Sequence, residues 1–85
     1  MKGNIVPLPL DAPLIGEIYQ HYKGDQYRVR LLVLHSNDEE WMVDYEPLYN
    51  QPDAPFFTRP LREWQEEVLW QGEKKRRFTL ISPAY

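Results

Sequence analysis

The sequence predicts a mostly β domain with one short helical turn near residues 61–66. The expected architecture is a small SH3-like barrel of five or six strands, or a strongly bent antiparallel sheet. Three observations carry that prediction. Polar and apolar side chains alternate with period two in several short runs, the pattern of half-buried strands. Clusters of Gly, Pro, Asn and Asp punctuate those runs at short intervals. The chain has 85 residues, including three Trp, six Tyr and three Phe. A domain this small buries only about 60–65% of the surface its unfolded chain exposes, so a compact core of large side chains is required.

Residues 1–15 contain Pro7, Pro9 and Pro13. Proline lacks an N–H and disfavours helix at the residue before it, which predicts an extended or irregular arm. Val6, Leu8, Leu10, Leu14 and Ile15 predict that the arm packs on a single β domain spanning residues 16–85. Glu17 to Tyr22 alternates as a first strand, and Lys23-Gly24-Asp25-Gln26 follows as a turn that uses the backbone freedom of Gly24. Tyr27 to Leu34 is the strongest strand. It sets Tyr27, Val29 and Leu31 against Arg28 and Arg30, then becomes continuously apolar, which predicts cover on both faces of its second half.

His35 to Asp38 reads as a polar turn, and Trp41, Val43 and Tyr45 share one face of a third strand. Pro47 to Pro55 is a loop. Phe56 to Arg59 forms a short strand that Pro60 stops, and Pro60 then opens a helical turn with Leu61 and Trp64 on one face. Val68-Leu69-Trp70, a turn over Gln71 to Lys74, and Arg77 to Ile81 read as a closing hairpin.

Composition excludes several functions. With no cysteine there is no disulfide, thiol chemistry or Cys-based zinc site, and two histidines far apart match no usual zinc spacing. No metal and no cofactor are expected. The longest apolar run is four residues, far short of the roughly 20 a membrane span needs, and no signal peptide is read, so a cytoplasmic protein away from membranes is expected. The net charge of −3 argues against broad nucleic-acid binding. The charge is uneven, however: Asp38 to Asp53 carries six acids and no base, whereas Lys74, Lys75, Arg76 and Arg77 form an uninterrupted basic run. That run is either a solvated turn or an anion-binding patch.

The chain resembles a bacterial family, the domain of unknown function DUF1653. The resemblance rests on Tyr19, His21-Tyr22-Lys23-Gly24-Asp25, Tyr27 and Val29, then on His35-Ser36, Val43, Tyr45 and Leu48-Tyr49, and finally on Arg59-Pro60, Val68, Gly72 and Arg77-Phe78. These fall in the family's order across about residues 16–81. Asn37-Asp38 departs from its usual Glu-Thr, and Phe57-Thr58 stands where a Trp-containing pair often precedes Arg-Pro. Membership implies a small β-rich domain and no established activity.

The candidate ligand-binding residues are His21, Tyr22, Tyr45, Tyr49 and Arg59, because the family-matching segments are dense in Tyr, His and Arg without a catalytic constellation. Each has a structural alternative. His21 either contacts a ligand or hydrogen-bonds a backbone carbonyl and fixes its turn. Arg59 either offers a planar fork to a carboxylate or phosphate, or pairs with Asp44 or Glu46. Tyr45, Tyr49 and Trp64 form either a stacking surface or the core. Ser36 beside His35 reads as a turn cap rather than a nucleophile, since neighbours on a strand face opposite ways.

The leading expectation is an interaction module for a protein or peptide partner, of unspecified oligomeric state. RNA or single-stranded nucleic acid bound through Lys74 to Arg77 and exposed aromatics is the second. A small-molecule enzyme with His21 or His35 as base is the third, and nothing in the sequence supports it beyond the two imidazoles.

Overall fold

The computed structural model describes residues 6–50 and 55–84. Seven strands and one helical turn follow in order: β1 (Ile18–His21), β2 (Gln26–His35), β3 (Glu40–Pro47), β4 (Phe57–Pro60), α1 (Leu61–Trp64), β5 (Glu67–Trp70), β6 (Glu73–Arg76) and β7 (Phe78–Ser82). Five strands form one antiparallel sheet in the order β4-β3-β2-β1-β7, and β5 and β6 form a separate two-stranded ribbon. Strands β4 and β7 are the edges of the sheet and do not pair with each other, so no closed barrel forms among the described residues. The fold is mostly β and antiparallel.

One irregularity interrupts the pairing of β2 with β3. Between β2 and β3 the register steps from Val29 opposite Tyr45 to Leu31 opposite Asp44, leaving Arg30 as an extra residue in a β-bulge. The bulge shifts the phase of the alternation. Val29 and Leu32 lie opposite Tyr45 and Val43 and face inward, while Leu31 lies opposite Asp44 and turns outward, where it is half exposed. The expectation that Leu31 shares the face of Val29 therefore fails. On the inner side α1 packs against β3 and β4, and in the second half of β2 Leu32, Val33 and Leu34 are half-buried while Leu31 is exposed.

The end of the chain also differs from the single hairpin expected. Gln71 (φ 51°) and Gly72 (φ 80°) both occupy the left-handed region, the signature of a two-residue turn whose twist suits a hairpin. That tight turn places Glu73 directly opposite Trp70. Lys74, Lys75 and Arg76 thus become a strand rather than part of a turn, and Phe78 to Ser82 leaves the ribbon to pair with β1.

Val29, Val43, Tyr45, Leu61, Trp64 and Phe78 are the buried core. As the spacing of three predicts, Leu61 and Trp64 are buried together on one side of α1. The indole of Trp64 stacks on Phe78, with ring centroids 3.8 Å apart and planes 10° from parallel. Tyr45 meets both rings edge-on at 5.0 and 5.6 Å, and Tyr19 meets Trp64 at 5.2 Å.

Residues 6–17 contain turns but no strand or helix. Pro13 is buried, whereas Leu10, Leu14 and Ile15 are exposed, so this segment packs through few side chains. It joins the sheet at Glu17, a buried carboxylate that accepts bonds from the Leu14 N–H (2.7 Å) and the Tyr19 hydroxyl (3.0 Å). No helix among the described residues is long and apolar enough to cross a membrane.

Replacing Phe78 by Ala removes the centre of this aromatic cluster. The substitution should cost about 3–5 kcal/mol, read as a lowered urea midpoint with an unchanged slope. Leu10→Ser, on a fully exposed side chain, should stay within about 0.5 kcal/mol.

Candidate functional site

The candidate residues divide between the buried face of the sheet and a groove at its β1–β7 end. Tyr45 is core, at 5% exposure. Its hydroxyl accepts a bond from Arg59 Nε at 3.4 Å, and Arg59 Nη1 reaches Glu63 Oε1 at 3.3 Å. The guanidinium also lies 5.8 Å from the centre of the Phe78 ring. Arg59 is therefore committed to the fold, but not through Asp44 or Glu46 as expected. Glu46 instead lies 3.8 Å from Arg28 and 3.5 Å from Arg30 on the outer face. Asp44 occupies the same outward phase of β3, opposite Thr58, whereas Arg59 lies opposite the inward Val43. A carboxylate four residues along the chain, on α1, fills the role.

Tyr49 is exposed at the rim, with its hydroxyl 3.2 Å from that of Tyr27. The sequence gives no signal that singles out Tyr27, yet its ring contacts Tyr45, Tyr49, Phe57 and Phe78. Burial and then the Tyr49 hydrogen bond push the Tyr27 phenol up from its ordinary pKa.

His21 ends β1, where the chain enters the Gly24 turn. Its Nδ1 accepts a hydrogen bond from the Lys23 N–H at 3.2 Å. The ring thus fixes the turn as an acceptor, the reverse of the expected donation to a carbonyl, and its neutral form carries the proton on Nε2. Burial lowers the His21 pKa, and the charges of Arg59, Arg77 and Lys23 lower it further. Tyr22 lies against His21 with centroids 4.3 Å apart, and meets Trp70 edge-on at 5.2 Å. The Lys23 ammonium sits 5.8 Å from the Tyr22 ring centre and 5.7 Å from that of Trp70.

A polar groove of about 470 Å³ runs between this corner and the ribbon, lined by Gln20, His21, Tyr22, Gly24, Lys75, Arg76 and Thr79. It brings together two groups that the sequence separated by more than fifty positions. The basic run is divided in the process. Lys75 and Arg76 line the groove, and Lys74 is exposed outside it. Arg77 turns inward, with Nη2 2.7 Å from Glu66 Oε1 and Nε donating to the Glu63 carbonyl at 3.1 Å. Gln20 and Thr79 reach the groove because they face each other across β1 and β7, a pairing with no sequence signal.

His35 lies at the opposite end of β2. That strand is ten residues long, which separates the two imidazoles by roughly 30 Å at about 3.3 Å per residue. His35 Nδ1 accepts the Asp38 N–H at 3.4 Å, so the ring, rather than the Ser36 hydroxyl expected there, is the side-chain acceptor for that turn. The two histidines do not converge. Among the described residues no three His, Asp or Glu side chains cluster as metal ligands would.

A family model described as a protein of unknown function, DUF1653, matches residues 17–80. The crystal structure of a DUF1653 protein from Bordetella bronchiseptica superimposes with a TM-score of 0.75 at 33% sequence identity, covering 82% of this chain and 90% of that one. Comparison with curated proteins finds no match.

The lowered pKa of His21 has a consequence for stability. The fold favours the neutral imidazole, so its contribution is complete above the unfolded value of about 6.5 and is lost as pH falls through that value toward the lower folded one. Between about pH 7.5 and 5.5 the thermal midpoint of the native chain should therefore fall further than that of His21→Gln. Equal falls would remove His21 as the cause.

Proposed function

Because the chain belongs to the DUF1653 family, whose activity is not established, we propose its function from its own geometry: an interaction module that takes an acidic, extended segment of a protein partner in the groove between β1 and β6. One observation carries the reading. Lys75 and Arg76 face His21 and Tyr22 across the groove, and among the described residues neither cation has a carboxylate within 4 Å. The other arginines on the inner side, Arg59 and Arg77, are already paired. Two unpaired cations beside a polar concavity are poised for an external anion.

Strand β7 supports a peptide as the source of that anion. It is an edge strand, and its sequence Phe78-Thr79-Leu80-Ile81-Ser82 carries no charge to block pairing. An extended segment laid along it gains main-chain hydrogen bonds while an acidic side chain reaches the groove. RNA is the second reading, favoured by the Tyr22 and Trp70 rings with Lys23 beside them. The net charge of −3 opposes a long polyanion and leaves a short acidic segment preferred.

A labelled hexaglutamate peptide and an oligouridylate of similar length, titrated at matched salt, separate the two. Peptide affinity should drop roughly tenfold in K75E/R76E, since each exposed pair contributes about 0.2–1 kcal/mol and reversal adds repulsion. It should rise as pH falls from about 7.5 to 6, because a bound anion favours protonated His21. An unchanged affinity in the variant removes the groove as the site. Tight oligouridylate binding that weakens steeply with salt would replace the peptide by RNA.

A further inference from the structure

The proline-containing arm has a role that the groove does not use. Residues 6–12 run along a second cleft and leave about 350 Å³ of it open, with Val6 and Pro9 on one wall and Trp41, Leu61, Arg62 and Gln65 together with Glu39 and Glu40 around the rest. Two side chains hold the arm there, and both grasp its backbone. Trp41 Nε1 donates to the Val6 carbonyl at 2.7 Å, and Gln65 Nε2 donates to the Asp11 carbonyl at 3.2 Å. The ion pair of Arg62 Nε with Glu40 Oε1, at 2.5 Å, walls one side.

What the arm leaves out matters as much. Val6, at the cleft, is 63% exposed and Leu8 and Leu10 are not among its lining residues, so the arm's large side chains leave it open. An indole N–H aimed at a backbone carbonyl beside proline, on an apolar floor, is the chemistry that recognises extended proline-containing peptides. Proline restricts φ to about −65°, which lowers the entropy lost on docking, and a tertiary amide leaves no N–H to satisfy. The arm meets the backbone requirement and under-fills the side-chain one.

We infer that the Trp41 cleft is a binding site for a proline-containing extended segment of a partner protein, and that the arm takes up its Trp41 and Gln65 donors in cis as a weak, displaceable ligand that leaves the rest of the cleft open. This site lies apart from the β1–β6 groove and stands or falls independently of it. Tethering gives the arm an effective concentration on the order of millimolar. A partner segment must outcompete that occupant, so the native chain binds such segments more weakly than the cleft itself would.

The test uses the full-length chain and a labelled synthetic peptide, Val-Pro-Leu-Pro-Leu-Asp-Ala, with a glycine-for-proline control. Weakening the arm with P7G/P9G should tighten binding of the probe at least tenfold over the native chain. Adding Trp41→Phe to that variant should reverse the gain. The control peptide should bind at least fivefold more weakly than the probe. A measurement that needs no substitution accompanies these: in the native chain, the Trp41 indole N–H resonance should move as the probe saturates. No gain in P7G/P9G, a gain that survives Trp41→Phe, or an indole resonance indifferent to the probe would each overturn the proposal. A dimer of the native chain formed by exchanged arms would also overturn it, by making a second copy the occupant.

Discussion

The stack of Trp64 on Phe78 is the contact on which the rest of the fold depends. Trp64 belongs to the helical turn that follows edge strand β4, and Phe78 opens β7, the edge on the other side of the sheet. A small sheet with two free edges has a weak core unless something draws those edges over the inner face. A barrel would do so with hydrogen bonds. Here two aromatic rings 3.8 Å apart do it instead, with Tyr45 and Tyr19 braced against them. The same contact explains why Arg59 and Arg77 are structural: each is anchored to Glu63, on the helical turn that carries Trp64, one through its carboxylate and the other through its carbonyl.

Much of this was legible in the residues, for local reasons. The first three strands, the turns at Gly24 and after His35, and the burial of Leu61 with Trp64 all follow from patterns spanning a few positions. What escaped was decided elsewhere. The bulge at Arg30 defeats a strict period of two, because a single inserted residue changes phase without any composition signal. Residue pattern locates the Gln71–Gly72 turn only to within a few residues, and that margin decides whether the basic run is a turn or a strand. The candidate site was half visible for the same reason. His21, Tyr22, Lys75 and Arg76 were each named, but their meeting depends on β7 crossing to β1, a long-range choice that side-chain pattern does not encode.

The groove also shows how an acidic chain can hold a cationic site. Net charge describes the field at a distance, whereas a ligand in contact feels the groups within about 8–10 Å, the screening length at physiological salt. Most of the acidic stretch from Asp38 to Glu46 lies along β3, with β2 between it and β1. The two cations lie on β6, in the separate ribbon, just before the chain enters β7 at the opposite edge.

The bulge at Arg30 carries a last consequence, for how the chain tolerates change in length. On either side of it β2 alternates regularly, with Val29 inward, Leu31 outward and Leu32 inward once Arg30 is set aside. Losing that one residue leaves every inward side chain inward and only removes the bulge. Losing a residue elsewhere in β2 turns half the strand over, exposing valine and leucine while burying charge. The strand has one joint at which evolution can add or remove length without rewriting the core, and Arg30 marks it.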